Sequence, residues 1–305
     1  MREIVIYHSA DFDGVASSLI AWKFVCNYRD QEDIELFGWN YGDELPSIAA
    51  MINQYDKIYM VDISFPAEFM RRLYESGKLV WIDHHQTAVS DSELYAYDDC
   101  PGLRRIGTAA CELTWEFCFP NYQCPDLIQY LGAWDVFNKG RFDWEGIINP
   151  IQMSCSEHYG MNPKSWMSDL DAIFSNDQTL LQKLISDGNL IYGYNKKRAE
   201  SAVRKYAFEV KVAGRLRGIC ILNTTFGSVQ FASVIKNYDC CVVANRKNAN
   251  LYNFSIYVEP EKEPLINFHA GEYMKANYGG GGHRNAAGGT LNLEQFHRLI
   301  VDQEV

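Results

Sequence analysis

The sequence predicts an α/β protein of two domains, with a parallel sheet in the amino-terminal one. Two observations indicate this class. Short β-rich runs alternate with segments of helical periodicity in the first third of the chain, and the alternation returns on a smaller scale after residue 209. The length of 305 residues and the apolar fraction of 47% suit a globular chain of this kind. We expect domains at residues 1–190 and 210–305, with a connector helix at residues 191–209.

The amino-terminal domain is predicted to consist of strand–helix–strand units. Its strands are placed at residues 3–7, 34–39, 57–61 and 79–82, and its first helices at 15–26, 45–54 and 67–76. The pattern turns helical at residues 107–135 and 163–184. In open parallel sheets, ligands bind beyond the carboxyl ends of the strands. Four carboxylates come just past such ends: Asp11, Asp13, Asp62 and Asp83.

The carboxy-terminal domain is predicted to be a smaller α/β unit that follows a long polar helix at about residues 176–207. Its strands are placed at residues 210–212, 218–222, 241–244 and 252–258, and its helices at 231–237, at 268–277 and from Leu293 onward. A run of four glycines, residues 279–282, precedes the last helix.

Composition excludes several classes of protein. The net charge of −11 argues against a protein that holds long duplex nucleic acid on a broad basic surface. No window approaches the roughly 18 apolar residues of a membrane span, so we expect a cytoplasmic protein without membrane contact. Nine cysteines without a C-x-x-C pair indicate reduced thiols. Residues 196–217 carry a net charge of +6, which indicates a solvated helix face or a basic wall that attracts phosphates.

Metal-ligand residue types cluster at the predicted strand ends. His8, Asp11 and Asp13 lie at the first end, where imidazole and carboxylate groups together suit Mn²⁺ and, less specifically, Mg²⁺ or Zn²⁺. The alternative for Asp11 or Asp13 is to cap the following helix. Asp62 follows the third strand, where a carboxylate could bridge two ions.

Asp83-His84-His85 follows the fourth strand. Three consecutive polar groups there would be buried without partners unless a metal or a polar network satisfies them. Asp135 ends an apolar helix, where it faces the negative pole of the helix dipole, and a nearby cation would account for it.

The glycine run continues into His283 and Arg284. Glycines let backbone N–H groups approach phosphate oxygens closely, so this segment is a candidate anion site. Without the His and Arg behind them, the four glycines could equally form a flexible turn. We expect most aromatic residues to lie in the core, and Phe12 and Tyr257 are the candidates for stacking on bases.

In their order along the chain, these motifs resemble those of the DHH phosphoesterase superfamily with its associated carboxy-terminal domain. The resemblance covers essentially the whole chain and is nearest to the branch of nanoRNases, oligoribonucleases and cyclic-nucleotide phosphodiesterases. Two departures stand out. His8-x-x-Asp11-x-Asp13 is one residue shorter than the His-x-x-x-Asp-x-Asp of many relatives, and Ser255-Ile-Tyr257 lacks the arginine of a Ser-x-Arg motif, so phosphate clamping falls to Arg284, Arg246 or Arg215.

The resemblance implies two Mn²⁺ ions in a cleft between the domains. His8, Asp11 and Asp62 would hold one ion, and Asp13, Asp62, His84 and Asp135 the other. Asp83 would orient its neighbours, and His85 would contact the scissile phosphate or assist the leaving group. The substrate's terminal phosphate or nucleotide would bind to Gly280, Gly281, Gly282, His283 and Arg284.

The expected activity is hydrolysis of short oligonucleotides, by a nanoRNase-like exonuclease, or of cyclic mono- or dinucleotides. The bond would be cleaved by in-line attack of a hydroxide bridging two metals about 3.5 to 4 Å apart. Three alternatives stay open: a phosphatase of 3′-phosphoadenosine nucleotides, a pyrophosphatase, and a nucleotide-sensing module without turnover. A homodimer is also left open.

Overall fold

The computed structural model describes residues 1–86, 88–89, 99–224, 227–259 and 261–301. The chain divides into two compact units, Met1–Tyr192 and Gly193–Val305. The first contains a four-stranded parallel sheet and the second a six-stranded mixed sheet. The predicted α/β class is confirmed.

The first unit has its sheet in the order β2-β1-β3-β4. The strands are β1 (Glu3–His8), β2 (Ile34–Trp39), β3 (Lys57–Val61) and β4 (Leu79–Ile82). They match the predicted strands, except that β1 extends to His8. The chain leaves β1 toward one side for β2 and returns to the other side for β3. The carboxyl ends of β1 and β3 therefore flank the switch point at which ligands bind in such sheets.

Both faces of this sheet are covered, because alternate side chains of a strand point to opposite faces. Val5, Tyr59 and Ile82 belong to one buried cluster, whereas Ile4 and Met60 belong to the other. Strands buried on both faces read as near-continuous apolar runs, which is why the sequence located all four of them.

Helices form the rest of the first unit. They are α1 (Phe12–Cys26), α2 (Ile48–Gln54), α3 (Ala67–Glu75), α4 (Ala110–Cys118), α5 (Asp126–Asp135), α6 (Asn149–His158), α7 (Pro163–Trp166) and α8 (Leu170–Phe174). A π-helix, Trp144–Ile148, precedes α6. A further helix, α9 (Gln178–Tyr206), runs across the boundary between the units and matches the long polar helix expected from the sequence.

The second unit has its sheet in the order β5-β6-β7-β8-β10-β9. The strands are β5 (Phe208–Val212), β6 (Leu216–Leu222), β7 (Cys240–Arg246), β8 (Leu251–Tyr257), β9 (Gly281–Gly282) and β10 (Ala286–Asn292). Its helices are α10 (Glu263–Ile266), α11 (Ala270–Tyr278) and α12 (Leu293–Val301). Only the β6–β7 pair is parallel among the described strands of this sheet.

Two sequence expectations for the second unit are wrong. The helix expected at residues 231–237 is instead two short 3₁₀ turns, Ser228–Phe231 and Ile235–Asn237. The segment after the glycine run was not expected to be a strand, yet β10 pairs with β8 along seven residues. Its sequence, AAGGTLN, has low β propensity, so the pairing comes from the tertiary context of the sheet.

The glycine run is explained by close packing within the second unit. Gly279 ends α11 with a left-handed backbone, and Gly281–Gly282 pairs with β10 as the short strand β9. A Cβ at Gly280 would lie 2.1 Å from the Gly288 carbonyl oxygen. The run is therefore a tight hairpin rather than the flexible turn considered from the sequence.

All nine cysteines are free thiols, and seven of them are buried. Within the described ranges, no helix combines the length and the apolar character that a bilayer crossing requires.

Gly14 brings the first turn of α1 against the end of β1, and a Cβ at this position would lie 2.0 Å from the His8 carbonyl oxygen. We expect Gly14→Ala to destabilise the first unit by about 3 kcal/mol, because backbone must move to relieve the overlap. Urea unfolding followed by tryptophan fluorescence measures this effect directly, since all seven tryptophans lie between residues 22 and 166.

The matched control is Gly140→Ala. Gly140 is exposed, and a Cβ there meets nothing closer than 3.9 Å, so we expect a change within about 0.5 kcal/mol. Equal stability of the two variants would contradict the close approach of α1 to β1.

Candidate metal centre

The carboxyl edge of the parallel sheet gathers the predicted site residues of the first unit. His8 is the last residue of β1, Asp62 directly follows β3, and Asp83 directly follows β4. Asp11 precedes α1 as its N-cap, and Asp135 is the last residue of α5. Parallel strands end at the same edge, so residues far apart in sequence meet there.

His8 and Asp11 form one side of the cluster. His8 Nδ1 lies 2.8 Å from Asp11 Oδ2, while Asp11 Oδ1 accepts the Gly14 N–H at 2.9 Å. Asp11 therefore does cap α1, as the alternative interpretation held, and its second oxygen still faces the cluster. His8 Nε2 lies 3.1 Å from Asn40 Oδ1. This Asn40 oxygen also accepts the Tyr41 N–H, so we assign it as an acceptor and His8 Nε2 as the donor.

With Nε2 donating, a neutral His8 presents the lone pair of Nδ1 to Asp11 and Asp62. Lone pairs on three electronegative atoms repel one another unless a proton or a metal ion lies between them. A histidine whose second nitrogen is held by a hydrogen bond is the usual form of a metal-ligating imidazole.

Asp62 occupies the centre of the cluster. It is 1% exposed, and neither of its carboxylate oxygens has a hydrogen-bond partner among the described residues. Oδ2 lies 3.5 Å from His8 Nδ1, and Oδ1 lies 3.3 Å from His84 Nε2. Its φ of +59° is a left-handed conformation that few residues other than glycine adopt. Backbone strain combined with an unsatisfied buried carboxylate is typical of a functional site.

Asp13, His84 and Asp135 form the other side of the cluster. His84 Nε2 lies 3.4 Å from Asp13 Oδ2 and 3.2 Å from Asp135 Oδ2. Asp13 also accepts the backbone N–H groups of Ala110 at 2.8 Å and Cys111 at 2.7 Å, at the positive end of α4. Asp135 Oδ2 is buried without a hydrogen-bond partner in the described part of the chain.

Asp83 has a different environment, because its oxygens are well satisfied. Oδ1 lies 2.8 Å from His85 Nδ1 and accepts the backbone N–H groups of His84 and His85 at 2.7 and 3.0 Å. Oδ2 accepts the Trp81 indole N–H at 3.4 Å. Burial raises the pKa of Asp83, but His85 outweighs it, so the pKa is lowered. Asp83 thus fixes the orientation of His85.

The cluster has more carboxylates than imidazoles. Five carboxylates (Asp11, Asp13, Asp62, Asp83 and Asp135) face three imidazoles (His8, His84 and His85), so at least two negative charges remain even if every imidazole is protonated. Burial, together with the charges of Asp13 and Asp11, raises the pKa of Asp62 well above its ordinary value. Burial and Asp13 likewise raise the pKa of Asp135 to about 7. Without another cation, these residues must therefore retain protons.

The pKa values of the imidazoles in the cluster are also raised. Burial lowers the pKa of His8, but Asp11 and Asp62 outweigh it and raise the pKa to about 11. A proton on His8 would thus occupy the position where a metal ion would bind, and metal binding would release it.

The first unit contains three groups of residues that could each hold a metal ion. Within each group, the ligand atoms lie within 4.8 Å of one another: His8–Asp11–Asp62, Asp13–His84–Asp135 and Asp62–Asp83–His85. The orphaned oxygens and the imidazole–carboxylate chemistry fit a divalent metal site.

The candidate substrate-binding residues of the second unit already use several backbone groups in hydrogen bonds within that unit. His283 N–H donates to Ala286 O at 2.7 Å and Gly280 N–H to Met274 O at 3.2 Å, so these two amides are used within the hairpin. The carbonyls of His283 and Arg284 accept N–H groups from the start of α11. Contact of Gly280, Gly281, Gly282, His283 and Arg284 with substrate stays a prediction.

Two of the three candidate clamping arginines already hold backbone carbonyls. Arg215 donates to Ile266 O at 2.8 Å and to Asn267 O at 3.0 Å, and Arg246 donates to Asn248 O at 3.0 Å. Within the basic segment, Arg217 pairs with Glu209. The choice among Arg215, Arg246 and Arg284 as the phosphate clamp stays a prediction, and the Arg217–Glu209 pair agrees with the solvated-face interpretation of residues 196–217.

One of the two stacking candidates lies in the core, and stacking by the other, Tyr257, stays a prediction. Phe12 is 7% exposed and packs edge-on against Trp166, with ring centroids 5.7 Å apart. It belongs to the core, so its selection was wrong. Tyr257 is the last residue of β8, and burial raises the pKa of its hydroxyl.

Sequence reasoning missed two residues beside the cluster, Asn40 and Tyr41. Both follow β2 directly, so the rule about strand ends would have found them had it been applied to all four strands. The Tyr41 ring centroid lies 6.0 Å from that of His8 and 6.3 Å from that of His85.

Comparison with known proteins agrees with the fold. Residues 3–132 match the family model of the DHH family, N-terminal domain. A solved DHH domain from a member of a family of ribosomal proteins superposes with a TM-score of 0.62 at 14% identity, over 97% of this chain and 84% of that chain. RecJ from Thermus thermophilus in complex with Mn²⁺ gives a TM-score of 0.51 at 14% identity, over 98% of this chain and 50% of that chain.

A curated relative is uncharacterized protein R106 of Acanthamoeba polyphaga mimivirus, with 19% identity over 94% of this chain. The chain spans 66% of the length of that relative. The match to the DHH N-terminal domain covers residues 3–132, and this range contains every residue of the first-unit His/Asp cluster except Asp135.

Asp62→Asn tests whether the central carboxylate holds metal. Asparagine has the same shape and tolerates a left-handed backbone, but it removes the buried charge. We expect Mn²⁺ to raise the melting temperature of the wild type and to leave that of Asp62→Asn nearly unchanged. The metal-free variant should be at least as stable as the metal-free wild type, because an uncompensated buried carboxylate is lost.

The measurement is thermal unfolding with EDTA or with Mn²⁺. Asp171→Asn is the control, since Asp171 is 87% exposed and pairs with Lys23 on the surface. An equal metal-dependent rise in Asp62→Asn and in the wild type would contradict the assignment.

Proposed function

We propose that the protein is a two-metal phosphodiesterase that uses Mn²⁺ to hydrolyse short oligonucleotides or cyclic mono- or dinucleotides. One observation carries this proposal. The two oxygens of Asp62 face different groups of ligands: Oδ2 faces His8 on one side and Oδ1 faces His84 on the other. A carboxylate between two ligand sets is the arrangement that a pair of bridged metals requires.

The proposed ligand sets follow from these distances. His8 and Asp11 would hold one ion, and Asp13, His84 and Asp135 the other, with Asp62 shared. Mn²⁺ accepts this mixture of imidazole and carboxylate, and Mg²⁺ prefers oxygen alone. The RecJ structure that shares the fold was solved with Mn²⁺. When bound, two such ions lower the pKa of a water and stabilise both the attacking and the leaving oxygen at phosphorus.

His85 is the proposed proton donor to the leaving oxygen. Its Nδ1 lies 2.8 Å from Asp83 Oδ1, which fixes the ring, and Nε2 is the nitrogen that we propose donates to the substrate. Burial lowers the pKa of His85, but Asp83 outweighs it, so the pKa is raised, which favours the protonated form of the imidazole. A protonated imidazole held by a buried carboxylate is suited to general-acid catalysis.

The net charge of the protein favours a short substrate over a long one. The net charge of −11 opposes binding to a long polyanion, whereas one or two phosphates are neutralised by the metals alone. We propose that His283 and Arg284 bind the terminal phosphate of such a substrate through their side chains, since the backbone groups nearby serve the hairpin. This role matches the one implied by the family resemblance.

A substrate panel tests the proposed reaction. The full chain is incubated with Mn²⁺ and, separately, the dinucleotide pApA, a cyclic dinucleotide, pAp and pyrophosphate. We expect kcat/KM for at least one phosphodiester to exceed that for pAp and for pyrophosphate by about 100-fold or more, because only a diester carries organic groups on both sides of the reacting phosphate for the site to bind.

Turnover of pyrophosphate or pAp alone would reject the phosphodiesterase proposal in favour of those alternatives. Tight nucleotide binding by the metal-loaded protein without any product would instead indicate a sensor. Asp62→Ala is the negative control, and it should abolish turnover because both ligand sets share that carboxylate.

Two histidine variants separate the proposed roles. His85→Gln should lower kcat by about 100-fold or more while Mn²⁺ stoichiometry stays at the wild-type value, because general-acid catalysis contributes roughly 10²–10⁴-fold. His283→Ala should mainly raise KM. Steady-state kinetics on the preferred phosphodiester, with metal analysis of each variant, gives both results.

His158→Ala is the control for these two variants, because His158 pairs with Asp187 on the surface, away from the cluster. The reverse pattern, in which His85→Gln changes only KM and His283→Ala changes only kcat, would refute the assignment.

A further inference from the structure

Tyr41 completes a triangle of rings at the metal centre. Its ring centroid lies 6.0 Å from that of His8 and 6.3 Å from that of His85, and the two imidazoles are themselves 6.2 Å apart. The Tyr41 ring is thus as close to each imidazole as they are to each other. It stands beside both a proposed metal ligand and the proposed proton donor.

The chain holds this ring in a defined position. Asn40 Oδ1 accepts the Tyr41 N–H at 2.9 Å, and the Asp43 N–H closes the turn on Asn40 O at 3.0 Å. The Tyr41 hydroxyl oxygen accepts the Ser64 N–H at 3.4 Å. Trp39, which is 4% exposed, packs edge-on against the ring at 5.7 Å. A side chain anchored through its backbone, its ring and its hydroxyl loses little entropy when it binds a ligand.

Exposure distinguishes Tyr41 from the other aromatic residues near the site. Tyr41 is 51% exposed, whereas Trp39 and Phe65 behind it are 4% and 3% exposed. An anchored and half-exposed ring offers a π-face to a planar group.

We propose that Tyr41 forms a stacking subsite for the nucleobase that adjoins the phosphate at the metal centre. This inference rests on the proposed phosphodiesterase function and adds a site for the base. A single ribose joins base and phosphate in a nucleotide, so a phosphate contacted by His85 places its base within reach of a ring 6.3 Å from that imidazole. Stacking tolerates any base, because every base has a π-face.

The test compares two substrates on three forms of the Mn²⁺-loaded full chain. The substrates are pApA and the same dinucleotide with both bases removed. The forms are wild type, Tyr41→Phe and Tyr41→Leu. Phenylalanine keeps the ring and loses the hydroxyl, whereas leucine keeps apolar bulk and loses the π-face.

We expect Tyr41→Phe to resemble the wild type on both substrates. Tyr41→Leu should raise KM for pApA by roughly 10- to 100-fold with kcat changed less than about threefold, which corresponds to the stacking of one base. On the abasic dinucleotide, Tyr41→Leu and wild type should have the same KM. Tyr122→Leu is the control, since Tyr122 is 71% exposed and no described contact links it to the cluster, and it should leave both substrates unaffected.

Three results would overturn the inference. An equal loss on pApA and on the abasic dinucleotide would make Tyr41 a positioning residue for His8 and His85. No change in Tyr41→Leu on either substrate would remove it from the site. If the wild type cleaves neither dinucleotide, hydrolysis of linear dinucleotides is excluded, and a calorimetric titration with AMP and Mn²⁺ then decides about Tyr41: equal affinity of wild type and Tyr41→Leu would exclude stacking.

Discussion

Mutual repulsion among clustered carboxylates is the constraint that the first unit must accommodate. Five carboxylates meet at one edge of a parallel sheet, and Asp13, Asp62 and Asp83 among them are buried. The two oxygens of Asp62 have no hydrogen-bond partner among the described residues. A group of this kind is stable only with protons or cations between its members. The surrounding scaffold prevents relaxation, because strand ends, a helix cap and a helix terminus each fix one carboxylate. The fold therefore concentrates negative charge at one edge of the sheet, and a divalent ion would neutralise it.

Much of the first unit could be predicted from the sequence. Buried parallel strands are continuous apolar runs, and a polar residue directly behind each run lies at the ligand-binding edge. That argument located His8, Asp62 and Asp83 without any knowledge of tertiary contacts. It also located Asp11, whose two oxygens serve a helix cap and the cluster together, so that the two interpretations of this residue were never exclusive.

Other features of the structure could not be predicted, because they depend on tertiary contacts that the sequence does not reveal. Strand β10 is held by its pairing with β8 and not by its own residues, and the glycine run is a packed hairpin whose amides are partly consumed. Phe12 lies inside a motif that carries chemistry, yet its ring belongs to the core. Tyr41 was overlooked because nothing in its residue type separates it from the 18 other tyrosines of the chain; only its position beside two imidazoles does.

Asp13 shows how part of a metal centre can escape comparison between sequences. Its two oxygens accept the main-chain N–H groups of Ala110 and Cys111, and every amino acid except proline supplies such a group. The contact with Asp13 therefore makes no demand on either side chain, and only the burial of Ala110 and Cys111 restricts the residue types there. What this contact requires is the geometry of a helix start, and an alignment column would register that requirement only as the absence of proline.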